Sequence, residues 1–120
     1  MGKKTSKILI IENNKKKQIE IKDQVDKITK EIYISSKGAQ ALNDIEKYNP
    51  DLVILDLFLG DISGYELTRL IKNNYNIPVI TLTNNSQIAP FIRAHQEGAD
   101  ACLFLPFKQK ELQNTIKKLL

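Results

Sequence analysis

The chain has 120 residues, 42% hydrophobic and 27% charged, with 18 Lys plus Arg against 14 Asp plus Glu for a net charge of +4. That is one soluble globular domain, long enough to bury about two-thirds of its unfolded surface, and it excludes a disordered tail; no apolar run approaches the ~20 residues that a bilayer span needs. One cysteine (Cys102) rules out an internal disulfide framework, and a single histidine (His95) beside it rules out a His/Cys zinc centre. With no signal-peptide core near the N-terminus, a reducing, cytoplasmic setting is expected.

Short apolar runs alternate with helical patterns along the whole chain. Residues 7–11, apolar from Ile8 onward, predict a buried strand. Ile21, Val25, Ile28 and Ile32 follow at spacings of 4, 3 and 4, the stripe of an amphipathic helix. Ile32–Ser35 is a β-branched run, and residues 38–47 read as a helix through Ala41, Leu42 and Ile45. Asn49-Pro50 breaks the chain, and residues 52–57 predict a strongly apolar strand with Asp56 near its end. Residues 60–64 are a loop; residues 65–74 return to helical spacing with Leu67, Leu70 and Ile71. Residues 79–82 predict another buried strand. Pro90 suits the first turn of a helix that reaches Glu97 and stops at Gly98. Residues 101–105 are a fifth strand, ended by Pro106, and Leu112, Ile116 and Leu119 mark a last helix.

The order βαβαβαβαβα with near-continuous apolar strands implies a parallel sheet covered on both faces, hence a three-layer α/β sandwich with right-handed crossovers. No linker, repeat or low-complexity block divides it, so residues 1–120 are expected to be one domain, with 1–6 a flexible N-terminus. Residues 1–30 hold nine lysines against four acids, clustered as Lys3-Lys4 with Lys7 and as Lys15-Lys16-Lys17. An anionic partner would account for them, but so would a solubilising terminus and a solvated helix start. No aromatic residue lies between them to stack on a base, and direct nucleic-acid binding is not expected.

Ligands of such folds sit beyond the carboxyl ends of the strands. Those ends read Glu12-Asn13-Asn14, Asp56-Leu57-Phe58, Thr83-Asn84-Asn85 and Leu105-Pro106-Phe107. If strands 1 and 3 are neighbours, Glu12 and Asp56 meet, and two carboxylates with carbonyl and water oxygens suit a hard divalent cation. Thr83 would donate to an oxyanion beside them. An Asp at a strand end also serves as a helix cap or turn residue, and spacing alone leaves both open.

These residues resemble the receiver domains of two-component response regulators. The resemblance runs from Lys7 to Leu120 and is strongest in Pro50-Asp51-Leu52-Val53-Ile54-Leu55-Asp56-Leu57 and Gly60-Asp61-Ile62-Ser63-Gly64-Tyr65-Glu66-Leu67. Ile77-Pro78-Val79-Ile80-Thr81-Leu82-Thr83, Gly98-Ala99-Asp100-Ala101 and Pro106-Phe107 add to it. It implies a flavodoxin-like (βα)5 fold with sheet order 2-1-3-4-5. It further implies a phosphoryl group passed from a phosphohistidine to Asp56 with Mg²⁺, the metal held by Glu12, Asn13, Asp56 and the Phe58 carbonyl, and Thr83 sensing the phosphoryl group. Beyond that self-catalysed transfer, no enzyme activity is expected.

Four positions depart from the family's pattern. Asn13 stands where an aspartate is usual and brings an amide oxygen without charge. Leu105 replaces the lysine before Pro106 and supplies no charge to the phosphoryl oxygens, a contact worth about 1.5–3 kcal/mol. Asn84 follows Thr83 where a small residue is usual. Cys102 replaces the aromatic residue that reports activation; Phe104 shares its side of the strand and is a candidate substitute. The expectation is an atypical receiver, electrically incomplete at Leu105, with weak or absent Mg²⁺ binding and phosphorylation, that signals through protein contacts. The alternative is a working phosphoacceptor served by a histidine kinase or phosphotransfer protein, with Lys15 reaching the site edge. Either way the resemblance implies a downstream target or fused output domain and a possible homodimer through helix 4, strand 5 and helix 5. A flavin- or nucleotide-binding enzyme is disfavoured, since no glycine lies in residues 13–17 to bring backbone against a phosphate. His95 is expected at the surface or its boundary and Cys102 in the core.

Overall fold

A computed structural model describes residues 6–84 and 87–120. Its elements are β1 (Ile8–Ile11), α1 (Lys15–Val25), β2 (Ile32–Ser35), α2 (Gly38–Tyr48), β3 (Leu52–Asp56), α3 (Gly64–Asn74), β4 (Val79–Thr83), α4 (Ile88–Gln96), β5 (Ala101–Phe104) and α5 (Glu111–Leu119). All strand pairs are parallel, and the sheet order is β2-β1-β3-β4-β5, as the resemblance implies. The N-terminal five residues, with the Lys3-Lys4 pair, and Asn85 lie outside the described residues. Ser6, expected in the flexible stretch, is described, and its carbonyl accepts from the Thr29 hydroxyl at 2.6 Å.

β1, β3 and β4 are buried along their length, because helices cover both faces of the sheet. Alternate side chains feed two cores. Leu9, Ile11, Val53, Leu55 and Val79 pack with Ala41, Ile45, Leu67, Ile71 and Ala94 of α2, α3 and α4. Ile8, Ile10, Leu52, Ile54, Ile80 and Leu103 pack with Ile21, Val25, Leu112 and Ile116 of α1 and α5.

One expected element is shorter than its apolar stripe. α1 ends at Val25, capped by Asp26, so the helix does not carry Ile28 or Ile32. Ile28 lies in the following turn with its N–H on the Val25 carbonyl, and Ile32 opens β2 opposite Ile8. Both still pack against the core beneath α1 and α5. Burial on one side, continued through a turn into a strand, imitates the spacing of a longer helix.

Candidate functional site

Strand alternation decides which polar ends converge. Continuing β1 past Ile8 and Ile10, and β3 past Leu52 and Ile54, puts Glu12 and Asp56 on the sheet face that α1 and α5 cover. β1 and β3 are paired neighbours, so the two carboxylates sit side by side. Glu12 is fully buried and Asp56 only 3% exposed. Leu105 follows Leu103 on the same face, half-buried, and packs against that core. Thr83 closes β4 at this edge, fully buried, its carbonyl accepting the Leu105 N–H at 2.9 Å.

The Asp56 Oδ1 accepts the Phe58 N–H at 2.8 Å. The loop that carries Phe58 folds back tightly: Gly64 N–H donates to the Leu57 carbonyl at 3.0 Å, and a Cβ on Gly64 would run into the Leu57 and Asp56 backbone. Asp61 of the same loop reaches α2, accepting from Gly38 and Ala39 N–H at 3.1 and 3.0 Å and so supplying the cap that Lys37 lacks. Asn13 is turned to this loop too, its Nδ2 donating to the Leu59 carbonyl at 2.7 Å. A groove of about 500 Å³ opens alongside, lined by Asn13, Phe58, Gly60, Asp61, Tyr65 and Arg93, but neither Glu12 nor Asp56 lines it.

Glu12 Oε2 accepts the Asn14 N–H at 3.1 Å. Its buried Oε1 has no donor within reach among the described residues. Burial, then the facing Asp56 carboxylate, pushes the Glu12 carboxyl up to about 7, while the Asn14 N–H and the charge of Lys17 pull it down. Two carboxylates in such contact need a proton or a cation between them.

A cation is present. Lys17 Nζ lies 3.5 Å from Asp56 Oδ2, with the lysine side chain 27% exposed. Positive charge therefore reaches Asp56 from Lys17, while Lys15 is exposed. Asn14 explains the difference. Its Oδ1 caps α1 by accepting the Lys17 N–H at 2.9 Å, which fixes Lys17 at the third helical position. Helical side chains lean towards the N-terminus, so the Lys17 stem runs back over the first turn to the strand ends.

Of the other singled-out residues, His95 is exposed on α4 and Cys102 is buried in the core. Phe104 packs on Phe91 of α4, ring centroids 6.2 Å apart.

The fold is a doubly wound α/β module with two buried carboxylates side by side at the carboxyl ends of its strands. The response regulator receiver domain family matches residues 8–117, and the chain belongs to that family. Among curated relatives, it is 30% identical over 112 residues to the heme response regulator HssR of Staphylococcus saprophyticus, covering 93% of this chain and 50% of that protein. It is 32% identical over 83 residues to the DNA-binding response regulator MtrA of Mycobacterium leprae, covering 69% and 37%. The chain thus spans half or less of the length of these relatives. Among solved structures, the BeF3-activated DrrB receiver domain superposes with a TM-score of 0.86 at 26% identity, covering 97% of each chain. The BeF3-activated receiver domain of Klebsiella pneumoniae RstA shares the fold, with a TM-score of 0.89 at 22% identity over 95% of this chain and 97% of that one.

Receiver domains generally use Mg²⁺ for phosphorylation. The donors here fit such an ion in kind but are few: Glu12 with its orphaned Oε1, Asp56 and the Phe58 carbonyl, with the Asn13 amide drawn towards Leu59. Among the described residues no group of three or more His, Cys, Asp or Glu side chains comes together.

Proposed function

We propose that this receiver works in the cytoplasm chiefly as a protein-interaction module of phosphorelay signalling, with Asp56 accepting a phosphoryl group weakly or not at all. The observation that carries this reading is the composition of the pocket. A pair of buried carboxylates shares its sheet face with the aliphatic Leu105, and the Asn13 amide donates to Leu59. Mg²⁺ loses one charged ligand, and the phosphoryl oxygens lose the charge before Pro106. When bound, the metal supplies charge neutralisation at those oxygens. The contact surface is the α4 side, where Ile88, Phe91 and Ile92 are 72%, 42% and 47% exposed.

Lys17 favours a second reading, in which Asp56 is a working acceptor. A carboxylate oxygen of Asp56 attacks phosphorus, the P–N bond to the donor imidazole breaks, and the nitrogen leaves with its electron pair. The Lys17 ammonium and the buried Thr83 hydroxyl would then meet the transferred oxygens.

Labelling with phosphoramidate and Mg²⁺, read by intact mass, separates the two. The first reading expects little modification of wild type, matching Asp56→Asn. Stoichiometric labelling that Asp56→Asn abolishes establishes the second reading instead.

A further inference from the structure

The first turn of α1 is electrostatically odd. Lys15, Lys16 and Lys17 occupy the positive end of the helix dipole, and no acidic residue accompanies them. That end favours anions, so a lysine held there needs a compensating partner. Lys15 and Lys16 point into solvent, whereas Lys17 is largely covered and lies against Asp56.

The two oxygens of Asp56 have separate partners. Oδ1 accepts the Phe58 N–H at 2.8 Å, and the ammonium of Lys17 lies on Oδ2. The same ammonium is close enough to Glu12 to act on its carboxyl. A magnesium ion binds oxygen at about 2.1 Å. On Oδ2 it would therefore sit no more than about 5.6 Å from Lys17 Nζ, given the 3.5 Å contact. Two cations that close, beside two buried carboxylates, repel one another.

We propose that Lys17 is a built-in counter-ion of the Glu12–Asp56 pair, which occupies the cation position at Asp56 Oδ2 and competes with divalent metal for it. Its partial exposure lets the side chain swing out when a divalent ion enters, so the competition lowers affinity without forbidding binding. The inference rests on the reading of Glu12 and Asp56 as the cation-holding pair, and it concerns metal affinity, whereas the labelling experiment above concerns phosphoryl transfer.

The test is direct Mn²⁺ and Mg²⁺ titration of the metal-stripped protein by calorimetry at pH 7. Lys17→Met keeps an unbranched stem and removes the charge; it is expected to bind either ion about tenfold more tightly than wild type, the ratio that about 1.4 kcal/mol gives. Lys17→Gln should behave the same way, which guards against a folding defect in one variant, and Lys17→Arg should stay near wild type. Lys15→Met makes the same change of net charge without touching Asp56 and should shift affinity less than about twofold, since its charge is solvated. Equal affinities in wild type and both neutral Lys17 variants, including no measurable binding in any of them, overturn the proposal, as does weaker binding when the charge is removed. A shift of equal size in Lys15→Met overturns it too, because net charge alone would then explain the effect. If Asp56→Asn leaves the isotherm unchanged, the assignment of the carboxylate pair fails, separately from the role of Lys17.

Discussion

Glu12 shows what the fold does to a single carboxyl. In the metal-free protein its folded-state value of about 7 stands above the ordinary 4.5, chiefly through burial and then through contact with Asp56. The folded state therefore binds more protons than the unfolded chain between those values. The stability this group contributes is complete below about 4.5 and is lost as pH rises through about 7. Urea unfolding with chelator present should show the advantage of Glu12→Gln over wild type growing between pH 5 and pH 8, because a glutamine amide donates to Asp56 at any pH. A difference that is the same at both pH values removes the shared proton from this account. The pair itself was legible in the sequence, since charged residues that end apolar strands on one sheet edge have little choice but to meet. Lys17 was not. Lysines at a helix start are ordinarily solvated, and only Asn14 as a cap, followed by a first turn of cations with no acid, hinted that one of them was held elsewhere.

Elements are fixed here by contacts that cross between them, and these were the least readable part. The stripe from Ile21 to Ile32 belonged to a helix, a turn and a strand that share one core, so periodicity alone drew a single helix. α2 starts at Gly38 with a lysine at its cap position and no side-chain cap of its own. Its orphan N–H groups are satisfied by Asp61, 23 residues further on, which no local pattern announces. The Ala39 N–H first, then those of Gly38 and Ile62, hold the Asp61 carboxyl below the usual carboxylate range against a small cost of burial. This capping is present above the ordinary aspartate value and fades as pH falls below it. Asp61→Ala should cost about 1 kcal/mol, the usual size for a lost cap, and lower Tm by about 4 °C near neutral pH. Asp61→Asn, which keeps an acceptor, should recover most of that. Thermal melts of the three proteins decide it, and a silent Asp61→Ala would mean that water caps α2 equally well. Since the same loop carries Phe58, the cap also ties the β3–α3 turn beside Asp56 to a neighbouring helix.

At the scale of the whole molecule, the fold was almost wholly legible, because parallel strands buried on both faces leave apolar runs that need little interpretation. What the sequence concealed is how unevenly the surface is divided. The α1 side presents lysines beside the carboxylate pair, whereas α4 presents Ile88, Phe91 and Ile92 to solvent on a helix of nine residues. Phe91 leans on Phe104 of β5, so the patch continues from helix to sheet edge. Three large apolar side chains exposed on one short helix are the basis for the contact face proposed above. For a homodimer through this face, Ile88→Asp with Phe91→Asp should convert a concentration-dependent dimer into a monomer in sedimentation experiments. Ile88 is 72% exposed, so its replacement should change stability by no more than about 0.5 kcal/mol, whereas Phe91→Asp also gives up the Phe104 ring contact, worth about 0.5–1.5 kcal/mol. A wild type that stays monomeric at high protein concentration would reject the homodimer and leave the patch to a different protein. If association is unchanged in the double variant, it runs through another surface, and the placement on α4 is wrong. The two faces lie at different parts of the sheet, so Lys17→Met should leave the dimer intact, and the α4 variant should leave metal affinity intact. Coupling between them would require the strand ends around Thr83 and Leu105 to exist in two arrangements that metal and partner favour differently.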